Sequence, residues 1–469
     1  MRTQQKAGGG WLLAVAFAVA ARGVEPMNVG TEAAVACVNA VPAAEWSATF
    51  ETNVAEVTFG AMTTDRALGV SILSVDGVLA SGASPTGMMA WAKTSFAPSA
   101  TGASVEIGRV SGAVQGTGAS NAFGVLAWSD AAFENNPATV RIGKLDGIVS
   151  ANVGPEGSVA AAVCARTAVD LTLASGAVLF GGTYGWDTGD GSATNAAAAL
   201  QTVLEKVKAR TATVAESNAL ATAASEGFAV WSGAGEDIVR VDENVTVFGV
   251  IALGEGYDTV SVSGVRSNAT VRLPTFTGAE LLVVTNSPDV AVTNVAGFAD
   301  LAVGAGALCR LRADACVFEG LYGSGTVVPQ GTLSVTNTID VGALQAVPVG
   351  ASLTVTGGLT LGSGVTCRLR AVEVGGVWTN DVVTVSGALT VAGGGTVDLG
   401  CTPEAPLAVY EKRTVMTAAG GIVNPGALSG WALTGTGRDT DSGFVMSVKA
   451  EGNRVVVGLS KRGMVISIR

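Results

Sequence analysis

The 469-residue chain contains no histidine. This absence excludes every mechanism that uses a histidine base and every metal site with histidine ligands. Cysteine is also scarce, with six residues and no C-x-x-C pair, so the sequence offers no zinc or redox motif. In an oxidising compartment these cysteines can form disulfides, but their spacing does not specify which of them pair.

Charged residues make up only 14% of the chain and aromatic residues only 5%. The net charge is −11, whereas a nucleic-acid groove requires a concentrated positive field, so we predict no nucleic-acid partner. No G-x-S-x-G or GxxxxGK[ST] motif occurs. Carboxylates are scattered, and the close pairs include Asp187 with Asp190 and Glu236 with Asp237. The sequence therefore favours a protein without catalytic activity over a hydrolase or lyase, which needs clustered carboxylates.

Long apolar runs are missing after the N-terminus, although the mean hydropathy is +0.45. None reaches the roughly 18 to 20 residues of a membrane-spanning helix. At the N-terminus, Arg2 and Lys6 precede an apolar run at 11–21 that ends in small residues. This pattern is typical of a secretory signal peptide, with a buried strand or helix as the alternative. We therefore predict a signal peptide at 1–21, a secreted or cell-surface location, and no membrane span after cleavage.

Glycine is abundant, with 64 residues, and separates short segments rich in Val and Thr, a pattern that predicts strands and turns. A V-x-I-x-x-[VL]-x-G motif recurs every 35 residues, at Val70–Gly77, Val105–Gly112 and Val140–Gly147, with a weaker copy at Val169–Gly176. Such a period indicates a solenoid whose stacked coils share one core. Trp91 and Trp128 follow the first two copies, and we interpret them as stacked aromatics rather than ligand platforms.

The strand pattern is interrupted at 181–226. A Gly/Asp loop at 181–191 is followed by apolar residues with helical spacing, at Leu200, Val203, Leu204 and Val207. A second short helix is predicted at Val214–Ser225. We predict a helical insertion that covers an end or an edge of the solenoid, with a partner-binding helix as the alternative.

Two copies of G-x-G-x-D-x-V follow, at Gly233–Val239 and Gly254–Val260. The pattern resembles the calcium-binding nonapeptide of β-rolls, in which carboxylates and turn carbonyls coordinate a hard cation. Asp237 and Asp258 are therefore the candidate metal ligands, and calcium is the only cofactor that the sequence suggests. The copies are 21 residues apart rather than in tandem, so the alternative is that both aspartates stabilise turns.

A second repeat places G-x-x-C-R-L-R-A at Gly306–Ala313 and again at Gly364–Ala371, 58 residues later. This predicts equivalent coil positions for Cys309 and Cys367. Strand alternation predicts that both thiols point inward.

The most regular stretch contains L-T-L-G-S-G at Leu359–Gly364 and V-S-G-A-L-T-V-A-G-G-G-T-V-D-L at Val385–Leu399. These phrases resemble the autotransporter-associated β-strand repeat in the passenger regions of autotransporter-type surface proteins. The resemblance implies a right-handed parallel β-helix displayed at a cell surface. The residues after Thr402 are too few for the membrane β-barrel of such proteins, so self-translocation is not implied.

We predict an all-β, right-handed parallel β-helix or β-solenoid with a small helical insertion. Its predicted function is that of an adhesin-like or structural protein without catalytic activity, whose partner is a host or matrix glycan or a protein surface. The alternatives are a β-helix polysaccharide lyase or hydrolase and a calcium-stabilised β-roll. The predicted organisation is a signal peptide at 1–21, solenoid repeats at 22–180, the insertion at 181–226, β-helix repeats at 227–401 and capping strands at 402–469.

Overall fold

The computed structural model describes residues 49–50, 54–55, 59–63, 68–75, 78–80, 86–92, 103–129, 137–157, 159–186, 193–343, 349–374, 377–403, 406–438 and 444–461. The predicted signal peptide lies outside these residues, and so do Cys37, Asp187 and Asp190.

Short strands fill most of the described chain. The first nineteen are β1 (Thr49–Phe50), β2 (Val54–Ala55), β3 (Phe59–Thr63), β4 (Leu68–Val75), β5 (Val78–Ala80), β6 (Thr86–Ala92), β7 (Ala103–Val110), β8 (Ala113–Gly118), β9 (Asn121–Ser129), β10 (Ala138–Leu145), β11 (Ile148–Val153), β12 (Val159–Ala165), β13 (Ala168–Leu173), β14 (Val178–Gly182), β15 (Phe228–Ser232), β16 (Ile238–Val241), β17 (Thr246–Phe248), β18 (Val250–Leu253) and β19 (Asp258–Ser263). The remaining strands are β20 (Ala269–Arg272), β21 (Phe276–Thr277), β22 (Ala279–Thr285), β23 (Val290–Thr293), β24 (Asp300–Val303), β25 (Leu308–Leu311), β26 (Ala315–Gly323), β27 (Thr326–Pro329), β28 (Thr332–Asp340), β29 (Ser352–Val355), β30 (Leu359–Leu361), β31 (Thr366–Arg368), β32 (Ala371–Val374), β33 (Val377–Asn380), β34 (Val382–Val385), β35 (Leu389–Val391), β36 (Thr396–Cys401), β37 (Lys412–Ala418), β38 (Ile422–Val423), β39 (Ala432–Thr436), β40 (Phe444–Glu451) and β41 (Arg454–Lys461). The helices are α1 (Ala193–Lys208), α2 (Val214–Ala223) and a 3₁₀ helix at Pro425–Gly430.

The strands stack into long parallel sheets. Sheet A contains 17 strands between β1 and β39, whereas sheet B contains six strands between β2 and β17 and sheet C seven strands between β3 and β21. Strands β7, β8 and β9 are the sheet A, B and C strands of one coil, and each pairs in parallel with its counterpart in the next coil. Sheet D begins at β20 and forms the C-terminal coils together with sheet A. The fold is therefore an all-β parallel solenoid with a small helical insertion, which confirms the predicted fold class.

The 35-residue repeat corresponds to single coils. Val70 is in register with Val105, Val105 with Val140, and Val140 with Val169. Strands β7 and β10 share one alternating pattern of buried and exposed residues. The buried positions belong to one core cluster that extends from Val75 to Leu459. Each fully buried Val or Leu in that core contributes about 1.5 to 3 kcal/mol to folding, so the stacked interior is the main source of stability.

The tryptophans of the first repeats occupy equivalent strand positions. Trp91 is in register with Trp128, as the repeat predicts. Trp128 is buried, and its ring centroid lies 6.0 Å from that of Trp231. The Arg166 guanidinium covers the Trp128 ring at 5.5 Å. These contacts make Trp128 a packing residue.

The helical insertion covers the outer face of sheet B rather than the predicted end or edge of the solenoid, because its apolar side chains pack on internal strands of that sheet. Leu200, Val203 and Leu204 are buried against Ile148 and Phe180 of that sheet, so the predicted apolar face is confirmed. The insertion is also anchored by polar contacts, because the Gln115 side chain donates to the Ala197 carbonyl at 3.0 Å. Helix α2 begins with a capping box between Thr213 and Glu216 and ends at Ala223, two residues before the predicted end.

The second repeat does not mark equivalent coil positions, so that prediction is wrong. Cys309 lies in sheet D, opposite Val290 and Val327, whereas Cys367 lies in sheet A, opposite Ile339 and Val397. Strand alternation determines whether a side chain points inward but not which sheet its strand joins. Both thiols are buried, as predicted, and no disulfide forms among the five cysteines of the described residues.

The regular stretch at 380–400 is joined to its neighbours by Asp381. This buried carboxylate accepts hydrogen bonds from the backbone N–H groups of Gly350 and Ala351, both at 3.0 Å, and from Arg370 Nε at 2.8 Å. Strands β37, β38 and β39 then form a further parallel coil, and the antiparallel strands β40 and β41 extend sheet D beyond it.

Candidate functional site

Four acidic residues lie at the starts of four successive strands of sheet A. Asp237 directly precedes β16, Asp258 begins β19, Glu280 is the second residue of β22, and Asp300 begins β24. These strands are parallel neighbours at a spacing of about 4.8 Å, and their register places Asp237 beside Asp258. Glu280 follows Ala279, the partner of Asp258, at a register shift, and Asp300 is opposite Leu281, one position further along the strand. We call these four residues the acid column.

The first three acids bond the backbone of the preceding coil. Asp237 Oδ1 accepts from the Val169 N–H at 2.6 Å, Asp258 Oδ1 accepts from the Asp237 N–H at 2.8 Å, and Glu280 Oε2 accepts from the Asp258 N–H at 2.7 Å. The Ser232 hydroxyl also donates to Asp237 Oδ1 at 2.8 Å. The column therefore connects three successive coils by side-chain bonds in addition to the sheet ladder.

Burial sets the electrostatics of the column. Asp237 and Asp258 are both 0% exposed. Burial raises the pKa of Asp237 to about 7, although the Val169 N–H and the Ser232 hydroxyl oppose the shift, and the charges of Asp258 and Glu280 add to it. Burial likewise raises the pKa of Asp258 to about 6, with added repulsion from Glu280 and Glu236. For Asp237 and Asp258, burial outweighs the hydrogen bonds that favour the charged form, so the raised pKa values favour neutral carboxyl groups.

The two predicted calcium ligands are brought onto adjacent coils. Asp237 and Asp258 each use Oδ1 for a backbone N–H, while both Oδ2 atoms are buried without a hydrogen-bond partner. The described residues contain no group of three or more acidic or cysteine side chains arranged to hold a metal ion. The Oδ1 atoms of Asp237 and Asp258 therefore stabilise the turns, as the alternative predicted. Calcium binding by the two Oδ2 atoms remains a prediction.

Sequence reasoning missed Glu280 and Asp300 as members of the column. The two residues lie outside any G-x-G-x-D phrase, and the coil lengths between the four acids differ. The available signal was the position of each acid at the start of an apolar strand segment. Only the strand register shows that these starts coincide in space.

Polar side chains also form columns on the outer faces. On sheet A, Arg141 pairs with Glu106 at 3.4 Å and with Asp170 at 3.6 Å, and Asp170 also pairs with Arg240. On sheet D, a column of threonines one coil apart is formed by Thr326, Thr354, Thr384 and Thr417. Exposed ion pairs contribute only about 0 to 1 kcal/mol each to the free energy of folding. These columns therefore determine the polarity of the surface and add little to stability.

Comparisons with protein-family models, curated proteins and solved structures gave no match. Among the described residues, no helix is both long and apolar enough to cross a membrane. The function is therefore inferred from the geometry of the chain.

Proposed function

We propose that this protein is exported and acts at a cell surface or in the extracellular space as an adhesin-like or structural solenoid without catalytic activity. The partner is a host or matrix glycan or a protein surface, bound by an extended strand face. The predicted signal peptide and the resemblance of 359–399 to autotransporter passenger repeats support the location.

The acid column is the observation that carries this proposal. Its first three carboxylates accept backbone N–H groups of neighbouring coils, and Asp237 and Asp258 have no exposed surface. A glycosidase or lyase presents its carboxylates to the substrate on both sides of the scissile bond. The repeating outer columns, in contrast, offer a long polar face that suits an extended partner.

The test is saturable binding of the full chain to immobilised matrix proteins and mucin-type glycans, measured beside turnover of a polysaccharide panel. We expect binding without release of new chain ends. Polysaccharide turnover that Glu280→Gln or Asp258→Asn abolishes would instead establish the carbohydrate-active enzyme and reject the adhesin-like function.

Calcium stabilisation is a second candidate function, favoured by the unpartnered Oδ2 atoms of Asp237 and Asp258. A cation bound only by the folded chain raises the melting temperature by mass action. We expect millimolar calcium to raise the melting temperature by several degrees, and Asp258→Asn to remove this increase. Asp398→Asn, which changes a partly exposed acid of sheet A, serves as the matched control. An equal response in both variants argues against this site.

A further inference from the structure

Two tyrosines converge on the last member of the acid column. The Tyr257 hydroxyl donates to Asp300 Oδ2 at 2.8 Å across two coils. Tyr257 is nevertheless 49% exposed, whereas Asp300 retains only 9% of its surface. The aromatic ring is therefore available to solvent directly beside a carboxylate whose position is fixed.

Tyr322 approaches the same carboxylate from the coil beyond. A Cβ placed on Gly320 would lie 2.3 Å from the Tyr322 hydroxyl oxygen and 2.5 Å from Asp300 Oδ1, so both groups occupy the space that the glycine leaves open. Burial and the neighbouring Asp300 raise the pKa of both tyrosines, which remain neutral hydrogen-bond donors. We call Tyr257, Asp300 and Tyr322 the tyrosine clasp.

The acids in and around the clasp have no ion-pair partner among the described residues. No ion pair among the described residues includes Asp237, Asp258, Glu280 or Asp300. The nearby Arg368 is paired with Asp340 at 3.9 Å. The Oδ2 atoms of Asp237 and Asp258 are also buried without a partner. Charge complementarity therefore calls for a cation supplied from outside the chain.

Aromatic rings beside a carboxylate suit an organic cation. An ammonium group is attracted to the face of a tyrosine ring and forms short, charge-assisted hydrogen bonds with carboxylate oxygens. A ligand approaching from solvent meets the exposed Tyr257 and the partly exposed Glu280, with the buried Asp300 carboxylate behind them. An anionic glycan or a phosphate group would be repelled by the same residues.

We propose that the tyrosine clasp, together with Glu280, binds the ammonium group of a lysine side chain on a partner protein. This inference rests on the proposed binding function and assigns it a location and a ligand chemistry. Asp237 and Asp258 have no exposed surface and take no direct part in this binding.

The experiment uses the full chain and two peptides, Gly-Lys-Gly-Lys-Gly-Lys amide and the same sequence with every lysine acetylated. We expect the chain to bind the first peptide and not the second, at near-physiological salt. Asp300→Asn removes one charge without changing shape and should weaken binding about tenfold. Tyr257→Phe keeps the ring but releases Asp300, and we expect a smaller loss of a few fold. Melting curves of each variant report whether the fold persists.

Asp398→Asn and Tyr410→Phe are the matched controls, because they make the same chemical changes on residues outside the clasp. Tyr410 is 71% exposed. We expect both controls to bind like the parent chain. Equal binding of the acetylated peptide, or an equal loss in Asp398→Asn, overturns the clasp as the site. If Asp300→Asn fails to fold, Tyr257→Phe and Glu280→Gln provide the test. Unchanged affinity of both variants for the lysine peptide would then overturn the proposal. Continued binding of the parent chain to matrix surfaces would then leave the general binding function intact.

Discussion

Gly254→Ala is expected to lower the unfolding free energy by more than about 3 kcal/mol, since overpacking against rigid backbone exceeds the usual cost of a core substitution. A Cβ at this position would lie 1.6 Å from the carbonyl oxygen of Gly233 in the preceding coil. That oxygen accepts the Glu255 N–H at 3.0 Å, so it cannot move away without breaking a bond between coils. The substitution therefore separates two stacked coils.

The same close approach is repeated one coil earlier. A Cβ on Gly233 would lie 1.7 Å from the carbonyl oxygen of Arg166. The glycines of the two G-x-G-x-D-x-V phrases thus permit backbone contact at the corner that leads into the acid column. We expect Gly233→Ala to have a similar effect.

Hydrogen exchange and urea unfolding of the Gly254→Ala variant test the predicted loss of stability. Protection should be lost first in β15, β16, β18 and β19, since a solenoid opens locally. Gly426→Ala is the control, because nothing lies within 4 Å of its added Cβ. Its unfolding free energy should stay within about 0.5 kcal/mol of the parent value. Equal stability of Gly254→Ala and Gly426→Ala would show that the coils are not packed this closely.

Raising the pH from about 4 to about 8 is expected to destabilise the solenoid, because the folded chain holds protons that the unfolded chain releases. The pKa of Asp237 rises from 3.8 to about 7 on folding, and that of Asp258 rises from 3.8 to about 6. A raised carboxyl pKa contributes stability that is fully present below the unfolded value and is lost as the pH rises through the folded value. For Asp237 alone this corresponds to about 4 kcal/mol.

Other carboxylates act in the opposite direction at lower pH. The guanidinium of Arg310 holds the pKa of Asp289 below its usual value, and the hydrogen bond from Lys206 lowers the pKa of Glu216 to about 2. Their contribution is present above the unfolded pKa and is lost as the pH falls below it. Maximum stability is therefore expected near pH 4 to 5, where both sets contribute.

Asp237→Asn tests whether Asp237 causes the pH dependence of stability. The amide oxygen of asparagine can still accept the hydrogen bonds from Val169 and Ser232, but the amide group does not titrate. In urea unfolding with a calcium chelator present, the variant should be more stable than the parent at pH 8 and similar to it at pH 4.5, with a loss of pH dependence of about 4 kcal/mol. Asp398→Asn should leave the parent pH dependence unchanged. An unaltered slope in Asp237→Asn would assign the pH dependence to other groups.

Several structural features are predictable from local sequence. The 35-residue motif predicts stacked coils because identical inward residues must meet in a shared core, and the register of Val70, Val105 and Val140 confirms it. The helical spacing of Leu200, Val203 and Leu204 predicts a buried face that is present against sheet B. Both are period-based signals, in which neighbouring residues alone determine which side chains are buried.

The candidate site could not be predicted from the sequence, because it depends on the register between strands of successive coils. Asp237 and Asp258 stand out in the sequence as turn residues, but their burial and their bonds to the preceding coil follow from the register between strands. Glu280, Asp300, Tyr257 and Tyr322 share no motif and meet only because coils of unequal length place them at one corner. Cys309 and Cys367 show the converse, since identical local sequences lie in different sheets. The sequence by itself determined a stacked, inward-facing strand architecture, because that depends on periods within each segment. The tertiary structure decided which side chains meet between coils, because that depends on how much chain each turn uses.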